Sequence, residues 1–253
     1  MSNSMATNYC REIKHQLGSY FGTWLPNAPV NVGDYGTVED RIFTSIGNVG
    51  SLGCKVEVAT GEPTHLHFTS TSGVTVKHLS SVDANVPSTK IEAGLEIAFS
   101  KQDGIFFNAA ESVVKRITNS AQIESTLLKL TKANKWKKDW VVVTGVVSTG
   151  ATTIAISKSD RASITLRAKG NFAEIDLANA SVNLQIEATS NIGLQLIAEK
   201  GLVPLMQLSQ LQTPLFFGDT TLAPRTYGVI GIDRDELVDV FTHSHELKLV
   251  ELV

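Results

Sequence analysis

Lys90-Ile91-Glu92-Ala93-Gly94-Leu95-Glu96-Ile97-Ala98-Phe99-Ser100, then Lys101-Gln102-Asp103 and a second run from Gly104 to Val114, is the stretch that decides the fold class. Ile91, Ala93, Leu95, Ile97 and Phe99 alternate with Glu92, Gly94, Glu96, Ala98 and Ser100. Side chains of a β-strand point to opposite faces in turn, so a period of two predicts a strand with one apolar face. Lys101-Gln102-Asp103-Gly104 carries the Asp-Gly signal of a tight turn, which predicts that the two runs form a hairpin.

The same pattern extends in both directions. Trp140 to Ser157 followed by Arg161 to Lys169 predicts a second hairpin, and Val182–Ala188, Gly193–Ile197 and Leu202–Leu208 read as further strands. Upstream, Cys54, Val56 and Val58 alternate with Lys55 and Glu57, and His65, Leu66, His67 and Phe68 continue the alternation. Tyr20 to Gly53 is punctuated by Pro26, Pro29 and several glycines, which predicts short β pieces and turns. Two segments have helical spacing. Ala6 to Leu17 aligns Tyr9, Ile13 and Leu17, and Asn119 to Lys135 aligns Ile123, Leu127 and Leu130 behind Asn119 or Ser120 as a cap. The fold class expected is therefore α+β: a twisted, mostly antiparallel sheet with amphipathic helices packed on it and long β-hairpins. Residues 1–211 form one domain in this reading. Residues 212–253, with Pro214, Pro224 and a short helix at Asp233 to Phe241, form an acidic C-terminal segment with a regulatory role.

Composition narrows the functional classes. The chain has 253 residues, 42% of them hydrophobic, enough for a sizeable core and too apolar for a disordered protein. A net charge of −3 makes the whole molecule no cationic nucleic-acid binder. Two cysteines, Cys10 and Cys54, make no disulfide framework and fit a reducing, cytoplasmic compartment. Met1 to Arg11 lacks the apolar core of a secretory signal, and no apolar run reaches the length of a membrane-spanning helix.

Charge is concentrated locally. Lys115, Arg116, Lys129, Lys132, Lys135, Lys137 and Lys138 face a single acid, Glu124, between positions 115 and 138, whereas Asp233 to Val253 holds six acids and two bases. A basic, amphipathic stretch flanked by Trp136 and Trp140 suits contact with acidic lipid head groups, which attract each nearby cation by about 1 kcal/mol. It equally suits a soluble interaction or scaffold protein whose basic helix binds an acidic partner.

Enzyme signatures are weak. Ser112-x-x-Lys115 resembles a serine–lysine pair, but positions three apart on a strand face opposite ways. Gly47 to Gly53 lacks the helix that a phosphate-binding loop requires, so it reads as turn chemistry. His65/His67 and His243/His245 have no complete ligand set and read as strand histidines. The sequence therefore points to no enzyme, no metal and no cofactor.

The alternating runs bear directly on function. A membrane β-strand needs about 9–11 residues with apolar and polar positions alternating, which a half-buried soluble sheet also displays. Trp140-Val141-Val142-Val143-Thr144-Gly145-Val146-Val147-Ser148-Thr149 resembles a strand of the gasdermin pore-forming domain, with Gly145 where the family has Glu. Lys200-Gly201-Leu202-Val203-Pro204-Leu205-Met206-Gln207-Leu208, with Gln210-Leu211, looks like the family's closing strand. The resemblance covers Lys90 to Leu211 and is similar to the short fungal and bacterial members that lack a large inhibitory domain. It implies a cytoplasmic protein that moves to acidic phospholipid membranes and forms a homo-oligomer there. It would insert two β-hairpins as a pore and kill the cell. Control would come from a related chain or an activating protease. The seven basic residues would contact lipid, and Ile91, Leu95, Ile97, Ile154, Ile156, Ile164 and Leu166 would form the inserting faces. Cys10 would be a candidate acylation site.

Overall fold

A computed structural model of the chain describes residues 2–70, 72–79, 94–168, 184–198, 200–212 and 220–225. In chain order its elements begin with α1 (Ser2–Leu17), β1 (Phe21–Gly22), β2 (Asp34–Glu39) and β3 (Ile42–Asn48). A 3-10 turn at Val49–Leu52 precedes β4 (Val58–Thr60), β5 (Thr64–Thr69), β6 (Val74–Leu79), β7 (Gly94–Phe99) and β8 (Ile105–Ile117). Helix α2 (Ser120–Lys132) leads to β9 (Val141–Thr149), β10 (Thr152–Ser157) and β11 (Ala162–Ala168). The last strands are β12 (Leu184–Ser190), β13 (Ile192–Ala198), β14 (Leu202–Gln212) and β15 (Thr221–Pro224). The architecture is α+β and mostly antiparallel.

Strand β8 is the spine of the larger sheet. Arg116 lies opposite Gly145, Val113 opposite Ser148, Ala109 opposite Thr152 and Ile105 opposite Ile156, so β9 and β10 pair with it along one continuous register. The main order is β1-β14-β9-β8-β10-β13, with β15 on β14, β2 on β9, and β4 and β5 on β8. A second sheet has the order β12-β11-β7-β6.

The two sheets are joined at one crease. β5 passes into β6, β7 into β8, β10 into β11 and β12 into β13, and each passage crosses from one sheet to the other. Strand order is the same on both sides: β5-β8-β10-β13 in the main sheet, β6-β7-β11-β12 in the second. The arrangement is one four-stranded antiparallel sheet folded over on itself.

This corrects both expected hairpins. β7 and β8 do not pair across Lys101-Gln102-Asp103-Gly104, and neither β9 nor β10 pairs with β11. Asp103 has φ +57, and the chain turns a corner there instead of reversing within a sheet. The reason is burial on two faces. Ile105 to Ala110 and all of β10 are buried throughout, because α1 covers one face and the second sheet the other. β7 pairs instead with β6 and β11, and β11 with β12.

Tyr9, Cys10 and Ile13 of α1 join Ile105, Phe107, Ile154, Ile156, Val147 and Leu205 in one core cluster. On the opposite face Phe106 and Ala155 meet Leu95, Ile97, Phe99, Ala162, Ile164 and Leu166 of the second sheet. Each large side chain fully buried in this way contributes about 1.5–3 kcal/mol. Ile123 and Leu127 of α2 pack with Val142 and Leu211. Leu205 pairs with Val147 and Ser209 with Val142, so odd positions of β14 share a face with both valines, and both helices lie on that face. Phe21, Val30, Val141, Val143, Val146, Met206 and Leu208 form the core behind it, which gives the Gly- and Pro-rich stretch from Tyr20 to Gly53 a packing role.

The described fold extends past residue 211, because β15 pairs with β14 from Gln212↔Thr221 to Ser209↔Pro224. Asp233 to Phe241 and the C-terminal acids lie outside the described residues.

Candidate functional site

The cationic segment begins in β8 and ends in the loop after α2, and all seven of its basic side chains are exposed. Lys129 and Lys132 occupy the last turn of α2, where the carbonyl end of the helix favours positive charge. Asn134, at φ +56, ends the helix, and the Lys135 amide donates to the Leu130 carbonyl at 2.8 Å. The following loop presents Lys135, Lys137 and Lys138, and the Lys138 carbonyl accepts from Gln210 Nε2 at 2.8 Å.

Aromatic rings anchor this loop. Trp136 is 4% exposed, and its ring centroid lies 5.2 Å from both Tyr35 and Trp140. Lys137 Nζ sits 5.7 Å from the centre of the Trp140 ring. The expectation that both tryptophans flank the lysines as interface anchors is therefore corrected for Trp136. It fills the core beneath α2, and among the described residues its buried indole Nε1 has no hydrogen-bond partner. What the rings do is hold five lysines, Lys129, Lys132, Lys135, Lys137 and Lys138, on one short, well-packed segment.

Lys115 and Arg116 do not belong to a single patch. Lys115 pairs with Val146 and Arg116 with Gly145, and successive strand residues point to opposite faces. Arg116 is on the helix side, close enough to Tyr20 for its charge to oppose the upward shift that burial gives that phenol. Lys115 is on the other side.

The expected inserting residues separate into two sets. Leu95 pairs with Leu166 and Ile97 with Ile164, so the fold brings these four together, sealed between the sheets. Ile154 and Ile156 face α1 instead. Ile91 lies outside the described residues. The outer face of the second sheet is polar: Lys77 pairs with Glu96, Glu96 with Thr165, and Arg167 Nε contacts Glu187 Oε2.

Cys10 is fully buried, donates through Sγ to the Gly22 carbonyl at 3.4 Å, and is pushed up to about 12 by burial. It is a core residue, and the folded chain offers no access for acylation there. His65 Nε2 meets Asn108 Oδ1 at 2.8 Å, and the His65 and His67 rings stack 6.3 Å apart. Desolvation of its ring, and then the neighbouring His65, holds His67 below the usual imidazole range. Among the described residues no group of three or more His, Cys, Asp or Glu is placed to hold a metal ion. His243 and His245 lie outside them. Ser112 is buried and donates to the Ala109 carbonyl at 2.9 Å, while Lys115 is exposed, so the two do not meet. Gly47 to Gly53 runs from the end of β3 through the 3-10 turn Val49–Leu52, with Asn48 as its cap and Gly53 at φ +86 closing it.

The polar network at the crease gave no sequence signal. Ser157 Oγ accepts from the Gly104 amide at 2.8 Å and donates to the Lys101 carbonyl at 2.6 Å. The Ser157 backbone bonds Gly104 and Asp103, tying the corner between β7 and β8 to the end of β10. Ser70 Oγ accepts from the Ile105 amide at 3.1 Å. From α1, Asn8 Nδ2 donates to Asp103 Oδ2 at 2.6 Å. Asn8, Arg11, Glu12, Ser70, Lys101 and Asp103 line a polar cavity of about 330 Å³ at this junction.

No described helix is long and apolar enough to cross a membrane. Compared with known proteins, the sequence matches no protein-family model and no curated protein sequence.

Proposed function

We propose that this protein is a gasdermin-like pore-forming effector that binds acidic phospholipid, oligomerises and inserts the folded-over strands as β-hairpins. One observation supports the reading above the others. Four antiparallel strands cross the crease in the same order, and their outer halves form an amphipathic sheet, apolar inside and polar outside. Its hairpins are β6–β7 and β11–β12, which lie side by side through the β7–β11 pairing. Among the described residues the outer strands β6 and β12 each pair on one side only. Unpaired edges are costly in lipid, so insertion requires neighbouring copies to pair them and close the ring. Leu95, Ile97, Ile164 and Leu166, now packed on Phe106 and Ala155, would form the lipid-facing surface.

In this reading the protein resides in the cytoplasm and moves to the membrane on activation. The loop lysines Lys135, Lys137 and Lys138 and the helix lysines Lys129 and Lys132 make the first contact. The decisive experiment is dye release from vesicles with and without acidic phospholipid, for the full chain and for a limited-proteolysis product. Release that depends on acidic lipid is expected. A chain that neither sediments with such vesicles nor releases dye overturns the proposal, and binding to an acidic polypeptide in its place would assign the cationic segment to a protein partner.

A further inference from the structure

The geometry points to the crease as a hinge that α1 clasps shut, with Ser157 as its pin and the Asn8–Asp103 contact as its latch. The inference rests on the pore-forming reading and names the residues that control its refolding step. Straightening the crease needs no strand to change partners. β5-β8-β10-β13 continues into β6-β7-β11-β12 with every neighbour kept, so the ladders on both sides survive and only the corners move. Backbone conformation at the corners favours that change. Gly73, Asp103 and Asn191 stand at φ +92, +57 and +52, and for Asp and Asn this left-handed region is less favourable than extended strand.

The bend is therefore held by tertiary contacts. Ser157 binds the Gly104 amide and the Lys101 carbonyl through its hydroxyl, and Asp103 and Gly104 through its backbone. Helix α1 reaches two of the four crossings. Asn8 holds Asp103, and the Met5 methyl presses on Gly193 just beyond the Asn191 corner, where an added Cβ would come within 2.2 Å of it. The polar cavity beside Asp103 leaves room for the corner to move without opening an apolar core on that side. A locally unfavourable backbone, kept by these crease contacts together with the packing of Leu95, Ile97, Ile164 and Leu166 on Phe106 and Ala155, is the form of a two-state element.

The test uses the full chain. Asn8→Cys with Asp103→Cys, closed by a short thiol-reactive cross-linker, locks the latch; the wild type treated with the same reagent is the control, since Cys10 and Cys54 are buried. On vesicles containing acidic phospholipid, the locked protein is expected to release dye at least tenfold more slowly than the same variant before cross-linking. Equal rates overturn the hinge while leaving the pore reading intact. If the wild type releases no dye, the pore reading fails, and the hinge is judged by amide hydrogen exchange alone. Ser157→Ala should speed exchange at Asp103, Gly104 and Ile105 at least tenfold, leave the β9–β14 ladder unchanged, and be reversed by Ser157→Thr. Unchanged exchange at those amides, or a rise throughout the chain, overturns it.

Discussion

Tyr35 and Trp136 meet with ring centroids 5.2 Å apart, and this contact joins a strand from the Gly- and Pro-rich N-terminal third to the lysine-bearing loop after α2. The lysines are thus displayed by packing, not by a mobile tether. Replacing Trp136 with Ala removes a side chain that is 4% exposed and should cost about 3–5 kcal/mol. Because its indole N–H has no partner among the described residues, Trp136→Phe should retain most of that stability. Urea unfolding of the two variants checks the order; equal losses would mean that ring volume is not what holds the loop.

Alkaline pH should destabilise the fold through α1. Cys10 ordinarily ionises near 9.0 and is pushed up to about 12 in the fold, and burial also raises Tyr9 well above its ordinary 10.0. Both groups keep their protons longer when folded, so above the unfolded values the native state holds more protons and stability falls as pH rises. Each group contributes a slope of up to about 1.4 kcal/mol per pH unit in that window, and nothing below it. Unfolding free energies measured at pH 8, 9 and 10 should fall progressively, and Cys10→Ala should flatten the decline from its onset near 9.

Gly36 is a position where one methyl group is decisive. A Cβ there would lie 1.9 Å from the Thr44 carbonyl oxygen, a backbone atom that cannot move aside as a side chain would. Gly36→Ala should therefore cost at least about 1–3 kcal/mol by forcing β2 and β3 apart. Gly53→Ala, with open space around its Cβ but φ +86, should cost less than that clash, its penalty being left-handed backbone alone. Thermal unfolding of the pair separates the two causes.

The strands were legible because period-two alternation marks any half-buried strand, and both helices were legible from their apolar spacing. Their partners were not. Asp103-Gly104 carries the chemistry of a hairpin turn, yet the same left-handed residue also suits a corner between two sheets. The clue lay in Ile105-Phe106-Phe107-Asn108-Ala109-Ala110, which does not alternate because both of its faces are buried. A hairpin exposed on one side would have kept the alternation. Charge clustering in sequence misled in a similar way. Lys115 and Arg116 are adjacent in the chain and face opposite sides of a sheet. The crease network was invisible because Asn8, Ser70, Asp103 and Ser157 are ordinary polar residues until the fold brings them together.

That separation gives a quantitative expectation for lipid binding. A cation near an acidic membrane surface is worth about 1 kcal/mol, and its influence fades within a Debye length of about 8–10 Å. Neutralising Lys132, Lys135 and Lys138 together should weaken binding to acidic vesicles by about 3 kcal/mol, roughly a hundredfold, if all three reach the surface at once. Lys115→Ala, on the sheet face away from α2, should change binding by less than about threefold, the screened share of its charge. Raising salt should shrink the first effect and leave the second near zero. Co-sedimentation across a lipid titration at two ionic strengths measures both. A Lys115 effect equal to that of one loop lysine would place the contact surface across the sheet, and not on the short segment that Tyr35, Trp136 and Trp140 hold in place.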